Sequence, residues 1–314
     1  SLSKWRRHRK NYYNYKGSIK LRTDEKKVSI GIIGKGFVGT AVAHGFSHQT
    51  GYGADIRIYD INPEKSQNTL EDTVNNSEFI FLSVPTPADK NGFNDLSIIK
   101  KVLRDISSVI KNVENIILIR STVVPGTTRD LQEKFPNLRL VFNPEFLTER
   151  SAIFDFINQT RVILGGDKQY TRRVKYLYKH RFGDYLPVLE TNLETAEMIK
   201  YMNNLFFATK VSFLNEMRLL ADKTGVDWND AIEGFSLDGR IGHSHLSVPG
   251  PDGKFGFGGS CFPKDIQALI KFDEKNNIDM HTLKGAWKTN LAVRPDRDWE
   301  QLKGRAVSNK DKSE

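Results

Sequence analysis

Cysteine is nearly missing from this chain of 314 residues, which has one, Cys261. A single thiol excludes any disulfide within the chain, so the fold needs no oxidising compartment. No apolar run approaches the roughly 20 residues that cross a bilayer, and the opening stretch SLSKWRRHRK lacks the apolar core of a secretory signal. A cytoplasmic location without a membrane span is the expectation. Internal repeats are also absent. Strong charge is missing from most of the chain as well. The net charge is +9, but residues 1–27 hold ten Lys and Arg against Asp24 and Glu25, which leaves the rest close to neutral. A body so balanced lacks the electrostatic footprint of a nucleic-acid binder. Only the basic extension, which also carries Trp5, Tyr12, Tyr13 and Tyr15, has the composition to touch phosphates or an anionic surface. A solvated extension is its simpler reading.

The composition that remains, 38% hydrophobic and 27% charged, is that of a folded globular protein with room for two domains. Short apolar runs recur at VSIGII (28–33), IRIYD (56–60), FIFLSV (79–84), NIILIR (115–120), LRLVFN (138–143) and RVILGG (161–166). Helical stretches such as 96–113 and 168–182 lie between them. Alternating strands and helices predict a doubly wound parallel sheet, whose strands are buried on both faces and so read as continuous apolar runs. Near residue 190 the pattern changes. Residues 192–224 contain neither Gly nor Pro, which predicts one long helix that starts at a Thr191 or Asn192 cap and ends on Gly225. Further helices are expected at 228–234, about 263–276 and about 279–291. The stretch after 295 is polar and is expected to fray.

GKGFVG (34–39) follows the first strand directly and opens a helix. In that context GxGxxG is a dinucleotide-binding turn. Gly34 permits the tight turn, Gly36 lets a pyrophosphate approach the backbone, and Gly39 lets the helix pack on the sheet. Phe37 and Val38 start the helix whose free N–H groups face the phosphates. Asp60, at the end of the second strand, suits the ribose hydroxyls of NAD and would repel the extra phosphate of NADP. Lys35 is an unusual residue inside such a turn. The division expected is a basic extension at 1–27, a Rossmann-like NAD-binding domain at 28–190, a long helix with a central helical domain at 191–295, and a polar tail at 296–314.

Six separated stretches carry more specific information: SVPTP (83–87), RSTVVPGT (120–127), NPEFLTE (143–149), EMIKYMNN (197–204), DGRIG (238–242) and GFGGSCFPKD (256–265). In identity and order they closely resemble the UDP-glucose 6-dehydrogenase family of nucleotide-sugar dehydrogenases, from about residue 28 to about residue 290. The resemblance implies NAD-dependent four-electron oxidation of a sugar C6 alcohol to a carboxylate, with UDP-glucose as the first substrate choice and no metal. It implies that Cys261 attacks the aldehyde, because a free aldehyde has no good hydride to give, whereas a thiohemiacetal does and becomes a thioester. A lone cysteine is otherwise most often a small buried hydrophobe.

By the same resemblance Lys200 stabilises the alkoxide-like oxygen, while Asn204 and Asp265 orient a water and the reacting hydroxyl. Lys200 and Asn204 are four residues apart and share a helix face. Glu145 activates the hydrolytic water and Thr122 holds it. Ser83, Pro85, Thr86, Ser121, Thr122, Glu149 and Lys264 join the cofactor side. Phe146, Leu147, Phe255, Gly256 and Gly258 join Glu145, Lys200 and Asn204 at the substrate. Arg240 reaches the substrate of a neighbouring subunit, which implies a homodimer built on the central helices. Arg120 replaces a frequent lysine, and Arg150–Ser151 replace a glycine and a small residue. Relatives continue into a second α/β domain over the nucleotide, so a short form without it is expected. The alternatives are a GDP-mannose 6-dehydrogenase, a two-electron hydroxyacid dehydrogenase that needs no cysteine, and a nucleotide-sugar-binding protein with little turnover.

Overall fold

The computed structural model describes residues 27–309. Any role of the basic extension rests on residues 1–26 and falls outside the described residues.

Among the described residues seven strands form one sheet: β1 (Ser29–Ile33), β2 (Asp55–Tyr59), β3 (Phe79–Leu82), β4 (Ile116–Ile119), β5 (Leu140–Phe142), β6 (Val162–Gly165) and β7 (Val188–Thr191). Their order is β2-β1-β3-β4-β5-β6-β7. The chain reverses between β1 and β2 on one side and β1 and β3 on the other, which makes the carboxyl ends of β1 and β3 the natural ligand crevice. β1 to β5 run parallel, but β6 meets β5 antiparallel through a single bridge, Phe142 to Gly165, and β7 runs parallel to β6. The expected doubly wound parallel sheet is present from β1 to β5 and departs from parallel only at this edge, and β7 is a strand that the apolar pattern did not show. Its half-exposed, mixed sequence VLET carries no continuous apolar run.

Helices cover both faces. α1 (Phe37–Phe46), α5 (Ala152–Ile157) and α6 (Lys168–Phe182) bury Phe46, Phe156 and Tyr178 against Ile30, Ile32, Phe81 and Leu118. α2 (Leu70–Asn75), α3 (Ser97–Val109) and α4 (Thr127–Lys134) bury Leu103, Ile106 and Leu131 against Ile33, Ile80, Leu82, Ile117 and Ile119. Successive strand residues point to opposite faces, so both faces demand apolar side chains.

α7 (Leu193–Thr224) is the predicted long helix, 32 residues and therefore about 48 Å at 1.5 Å per residue. Asn192 Oδ1 accepts the Thr195 N–H at 2.8 Å, and Gly225 ends the helix with φ +71°. Its first turns, Leu193 and Ala196, belong to the core of the sheet. Tyr201, Leu205 and Ala208 belong instead to a separate core with Ile266, Leu269 and Ala286. That second core comes from α9 (Cys261–Asn276) and α10 (His281–Val293), while α8 (Trp228–Ser236) packs beside the far half of α7. One helix thus serves two cores.

The stretch after residue 295 does not fray as far as residue 309. Trp299 is 2% exposed and lies 5.3 Å from the Trp287 ring. The chain then returns to the sheet, where Ala88 N–H donates to Ala306 O at 2.9 Å and Ser308 N–H to Ala88 O at 2.7 Å. The polar composition concealed one large aromatic anchor. Replacing it tests that packing: Trp299→Ala is expected to cost about 3 kcal/mol of unfolding free energy in urea titration and to open the bond after Arg305 to trypsin. Unchanged stability and unchanged proteolysis would refute the packing.

Candidate active site

A cleft of about 700 Å³ opens at the carboxyl ends of β1, β3 and β4. Its floor is the glycine turn. Gly34 has φ +91°, and a Cβ there would sit 2.2 Å from Ser83 O; a Cβ at Gly39 would sit 2.0 Å from Gly34 O. Neither position admits a side chain. Gly36 differs, because nothing lies within 4 Å of where its Cβ would be. It caps α1 without a side-chain acceptor, so the first N–H groups of the helix stay available for an anion. Asp60 is locked beside this turn by the Lys35 N–H at 2.6 Å and the Asn62 N–H at 2.8 Å. The Lys35 side chain therefore does not disturb the turn, because its backbone is what the turn uses.

The loops after β3 and β4 form one wall and are laced together. Thr86 Oγ1 donates to Thr122 O at 2.6 Å, and Ser121 Oγ donates to Val84 O at 2.5 Å. Pro85 lies in the same wall. Two buried polar atoms of this wall, Ser83 Oγ and Arg120 Nε, have no partner among the described residues. Buried polar groups rarely stay unpaired. An open glycine cradle, free helix N–H groups, a fixed acid and two waiting polar atoms fit a dinucleotide.

The opposite wall brings Glu145, Glu149, Ser260, Cys261 and Lys264 into the same cleft. Cys261 is the first residue of α9, so the helix starts at the sulfur, two residues before the expected start at about 263. Pro263 is compatible because the first turn has no internal acceptor for its missing N–H. The thiol is exposed to the cleft, yet protein crowds round it. That crowding pushes its pKa above the ordinary thiol range, with Asp265 and Glu145 adding to the effect and Lys264 and Lys200 opposing it. A helix N-terminus also favours a thiolate.

Behind Cys261 lies a layer of charge. Lys264 Nζ donates to Asp265 Oδ1 at 2.5 Å and Asn204 Nδ2 donates to Oδ2 at 2.7 Å, so both oxygens of this wholly buried acid are held. Burial pulls the Lys264 pKa down, but the negative groups around it, Asp265 first, hold it above its usual value. Lys200 Nζ reaches Glu145 twice, at 2.5 Å to its carbonyl and 3.0 Å to Oε1, and Leu147 N–H donates to Oε2 at 2.6 Å. Burial raises the Glu145 pKa, but Lys200, the Leu147 N–H and Arg120 together leave it below the usual carboxylate range. Glu145 is thus held as an anion at the cleft.

The remaining expected residues are placed elsewhere. Phe146 and Leu147 line a recess of about 200 Å³ on the far side of Glu145, where the Arg161 guanidinium stacks 3.9 Å from the Phe146 ring. Phe255, Gly256 and Gly258 are not in the cleft wall. The last two pack against α10 and its end, where a Cβ would lie 2.4 Å from Asn290 Oδ1 and from Arg294 Nη2 respectively. Their glycines have a packing reason. Arg240 points to solvent, its side chain 90% exposed, and pairs with Asp238.

Three features went unseen in the sequence. Arg305 lines the cleft and pairs with Glu149 at 2.6 Å. Tyr178 and Asn143 hold Arg120 from behind, at 3.1 and 2.6 Å. Glu197 caps α4. Tyr178 sits at ordinary core spacing beside Val174, and Arg305 arrives by a long-range return of the chain, so neither carries a local signal. Among the described residues no helix is long and apolar enough to cross a membrane.

Comparison with known proteins agrees with this fold. Residues 65–182 match the model of the UDP-glucose/GDP-mannose dehydrogenase family NAD-binding domain, and residues 194–292 match the central domain of the same family. The glycine turn precedes the first match and is placed by the structure. The UDP-glucose 6-dehydrogenase of Rickettsia prowazekii is 38% identical over 231 residues, 72% of this chain and 52% of that protein. The chain therefore spans about half the length of the curated relatives it matches. A solved UDP-glucose dehydrogenase from Pyrobaculum islandicum superposes with TM-score 0.75 at 29% identity, over 87% of this chain and 70% of that one. A GDP-mannose dehydrogenase from Pseudomonas aeruginosa, solved as a ternary complex, gives TM-score 0.61 at 27% identity, over 85% and 69%.

The crowded thiol makes a pH prediction. Alkylation of Cys261 by iodoacetamide should speed up with pH and still be climbing at pH 9, because the reactive thiolate gathers only above the usual thiol pKa of about 8.5. A rate that levels off by pH 8 would show that the helix N-terminus and the two lysines outweigh the burial.

Proposed function

The chain belongs to the UDP-glucose/GDP-mannose dehydrogenase family, and we propose that it oxidises the C6 alcohol of a nucleotide sugar to the carboxylate, with UDP-glucose ahead of GDP-mannose. The observation that carries this reading is the single cleft in which the NAD turn and Cys261 share one cavity. A hydroxyacid dehydrogenase that stops after two electrons has no use for a thiol on the first turn of a helix facing the cofactor. The substrate order follows the named relatives, most of which act on UDP-glucose by their names.

NAD bound in the cleft supplies a hydride acceptor, used once for the alcohol and once for the thiol adduct. In the first stage Lys200 stabilises the oxygen as its proton leaves, and Asn204 and Asp265 orient the hydroxyl. These three lie one layer behind the cleft wall, so their action depends on the substrate reaching past Cys261. In the second stage the Cys261 thiolate forms a C–S bond to the aldehyde carbon, and the carbonyl electrons move to oxygen beside Lys200. Loss of hydride from that carbon leaves a thioester on Cys261. Glu145 then takes a proton from a water held with Thr122, the water oxygen bonds to the acyl carbon, and the C–S bond breaks. The products are a carboxylate and free Cys261. Per alcohol, the reaction consumes one water and two hydride acceptors and releases three protons.

Ser83, Pro85, Thr86, Ser121, Glu149 and Lys264 act on the cofactor side in this reading. Phe146, Leu147, Phe255, Gly256 and Gly258 shape the sugar-nucleotide side indirectly, through the recess and the loop before Cys261. We place the protein in the cytoplasm, where its one thiol stays reduced. We also propose a homodimer. Met202, Phe206, Phe213 and Leu220 form an exposed apolar stripe on α7, between 48% and 66% exposed, and a second copy covering it would carry Arg240 toward the neighbouring site.

Purified protein with NAD and UDP-glucose should release two NADH per sugar. Cys261→Ser should lose the carboxylate product, and Lys200→Met should lower kcat by about 10² to 10⁴. Two NADH per sugar from the serine variant would sink the covalent mechanism; no NADH from any nucleotide sugar would sink the enzyme reading. Phe206→Glu should turn the dimer into a monomer in sedimentation velocity at micromolar concentration. A wild-type protein that sediments as a monomer there would overturn the dimer.

A further inference from the structure

Glu197 lies on α7 one turn before Lys200, and none of it reaches solvent. Its carboxylate is spent on backbone. Oε2 accepts the Gly126 N–H and Oε1 accepts the Thr128 N–H, both at 2.7 Å. Those two N–H groups belong to the open start of α4, whose own cap residue is Gly126, with φ +96° and no side-chain acceptor. The cap of α4 is therefore supplied by a different helix. A neutral Ser or Thr at the cap position would satisfy such a start without burying a charge. Burying a carboxylate there is expensive and calls for another reason.

That reason is the segment that α4 terminates. The turn from Arg120 to Gly126 carries Ser121 and Thr122 in the cofactor wall. Its beginning is fixed by β4 and by the bonds to Val84 and Thr86. Its end is fixed by Glu197. One turn further along α7, Lys200 grips Glu145 in the loop after β5. We propose that Glu197 is a positioning residue whose carboxylate ties the Thr122 turn to the helix bearing Lys200 and Asn204, and so sets the distance between the two working walls of the cleft. The tie rests on geometry alone; its effect on turnover rests on the oxidation proposed above.

The charged and titratable groups facing Glu197 are Glu194 and Tyr201 from α7 and Arg129 from α4. Arg129 is committed to Glu194 at 3.0 Å. Burial pushes the Glu197 pKa up to about 7, with Glu194 adding to the rise and the two N–H groups and the Thr128 hydroxyl opposing it. The sign follows. As pH rises through about 7, the acid becomes a carboxylate and a stronger acceptor for both N–H groups, so the turn tightens. As pH falls, one acceptor becomes a donor and the turn slackens.

Hydrogen exchange read by mass spectrometry on residues 121–130, corrected for intrinsic rates, tests the tie in the intact chain. Wild type should gain about tenfold protection between pH 6 and pH 8. Glu197→Gln should exchange about tenfold faster at pH 8 and show no pH dependence. NAD affinity, read by fluorescence titration, should tighten across the same interval in wild type and stay flat in the variant. Should Glu197→Gln fail to fold, Glu197→Asp serves, since it keeps the charge but is too short to hold both N–H groups. Protection of 121–130 that is unchanged in the folded variant overturns the proposal, and so does a loss spread evenly over the molecule. If wild type binds no NAD, the cofactor reading fails while the exchange data still judge the tie.

Discussion

The ion pair between Glu145 and Lys200 joins two parts of the molecule with separate cores. Glu145 comes from the loop after β5, on the sheet, and Lys200 from α7, where that helix leaves the sheet's core for the second one. Lys200 bonds both the side chain and the carbonyl of Glu145, so it fixes the loop as well as the charge. A buried ion pair of this kind contributes little net stability, since desolvation offsets most of the attraction. Losing one partner is another matter, because it strands the other charge in a buried site. The pair therefore specifies an arrangement more than it stabilises a fold. It keeps a carboxylate ionised beside the cleft and, in the mechanism proposed above, a cation where oxygen charge would develop.

The cysteine illustrates a balance of opposed effects. Crowding at the cleft and the carboxylates of Asp265 and Glu145 disfavour the thiolate; Lys264, Lys200 and the start of α9 favour it. A thiol that rests protonated is safe from stray oxidation, because oxidation follows thiolate character and exposure. A substrate carbonyl that displaced water from the cleft would strengthen the attraction of both lysines for the sulfur, since charges interact more strongly in a drier site. In the mechanism proposed above, the same layer of charge would suit a nucleophile that stays inert until its substrate fills the space above it.

Much of this was legible in the sequence. Continuous apolar runs gave the strands because both faces of the sheet are covered, and the absence of Gly and Pro gave α7 almost to the residue. GKGFVG was readable because only glycine fits at Gly34 and Gly39, a purely steric demand. The reversed direction of β6 and β7 was not legible, since strand direction leaves no trace in composition and β7 has too few apolar residues to stand out. Residues after 295 were misread because one buried tryptophan outweighs a dozen polar neighbours. Of the candidate site, the residues with local motif context, Cys261, Lys264 and Asp265, were found together. Lys200 and Asn204 were placed on one face by their spacing alone. Glu197, Tyr178 and Arg305 act on residues far away in the chain and carry no local mark of it.

α7 gathers these threads. At about 100° per residue, Glu197, Lys200, Tyr201, Asn204 and Ala208 fall on one side of the helix, all buried. Met202, Phe206, Phe213, Met217 and Leu220 fall on the opposite side, all at least 37% exposed. One face of a single helix about nine turns long holds the Thr122 turn, the Glu145 loop and Asp265; the other is apolar and exposed. Because the helix is regular from its Asn192 cap to Gly225, a displacement on one face is transmitted to the other. In the dimer proposed above, covering the apolar stripe would therefore stiffen the rod that carries Glu197, Lys200 and Asn204, and so the ties to Gly126, Thr128, Glu145 and Asp265.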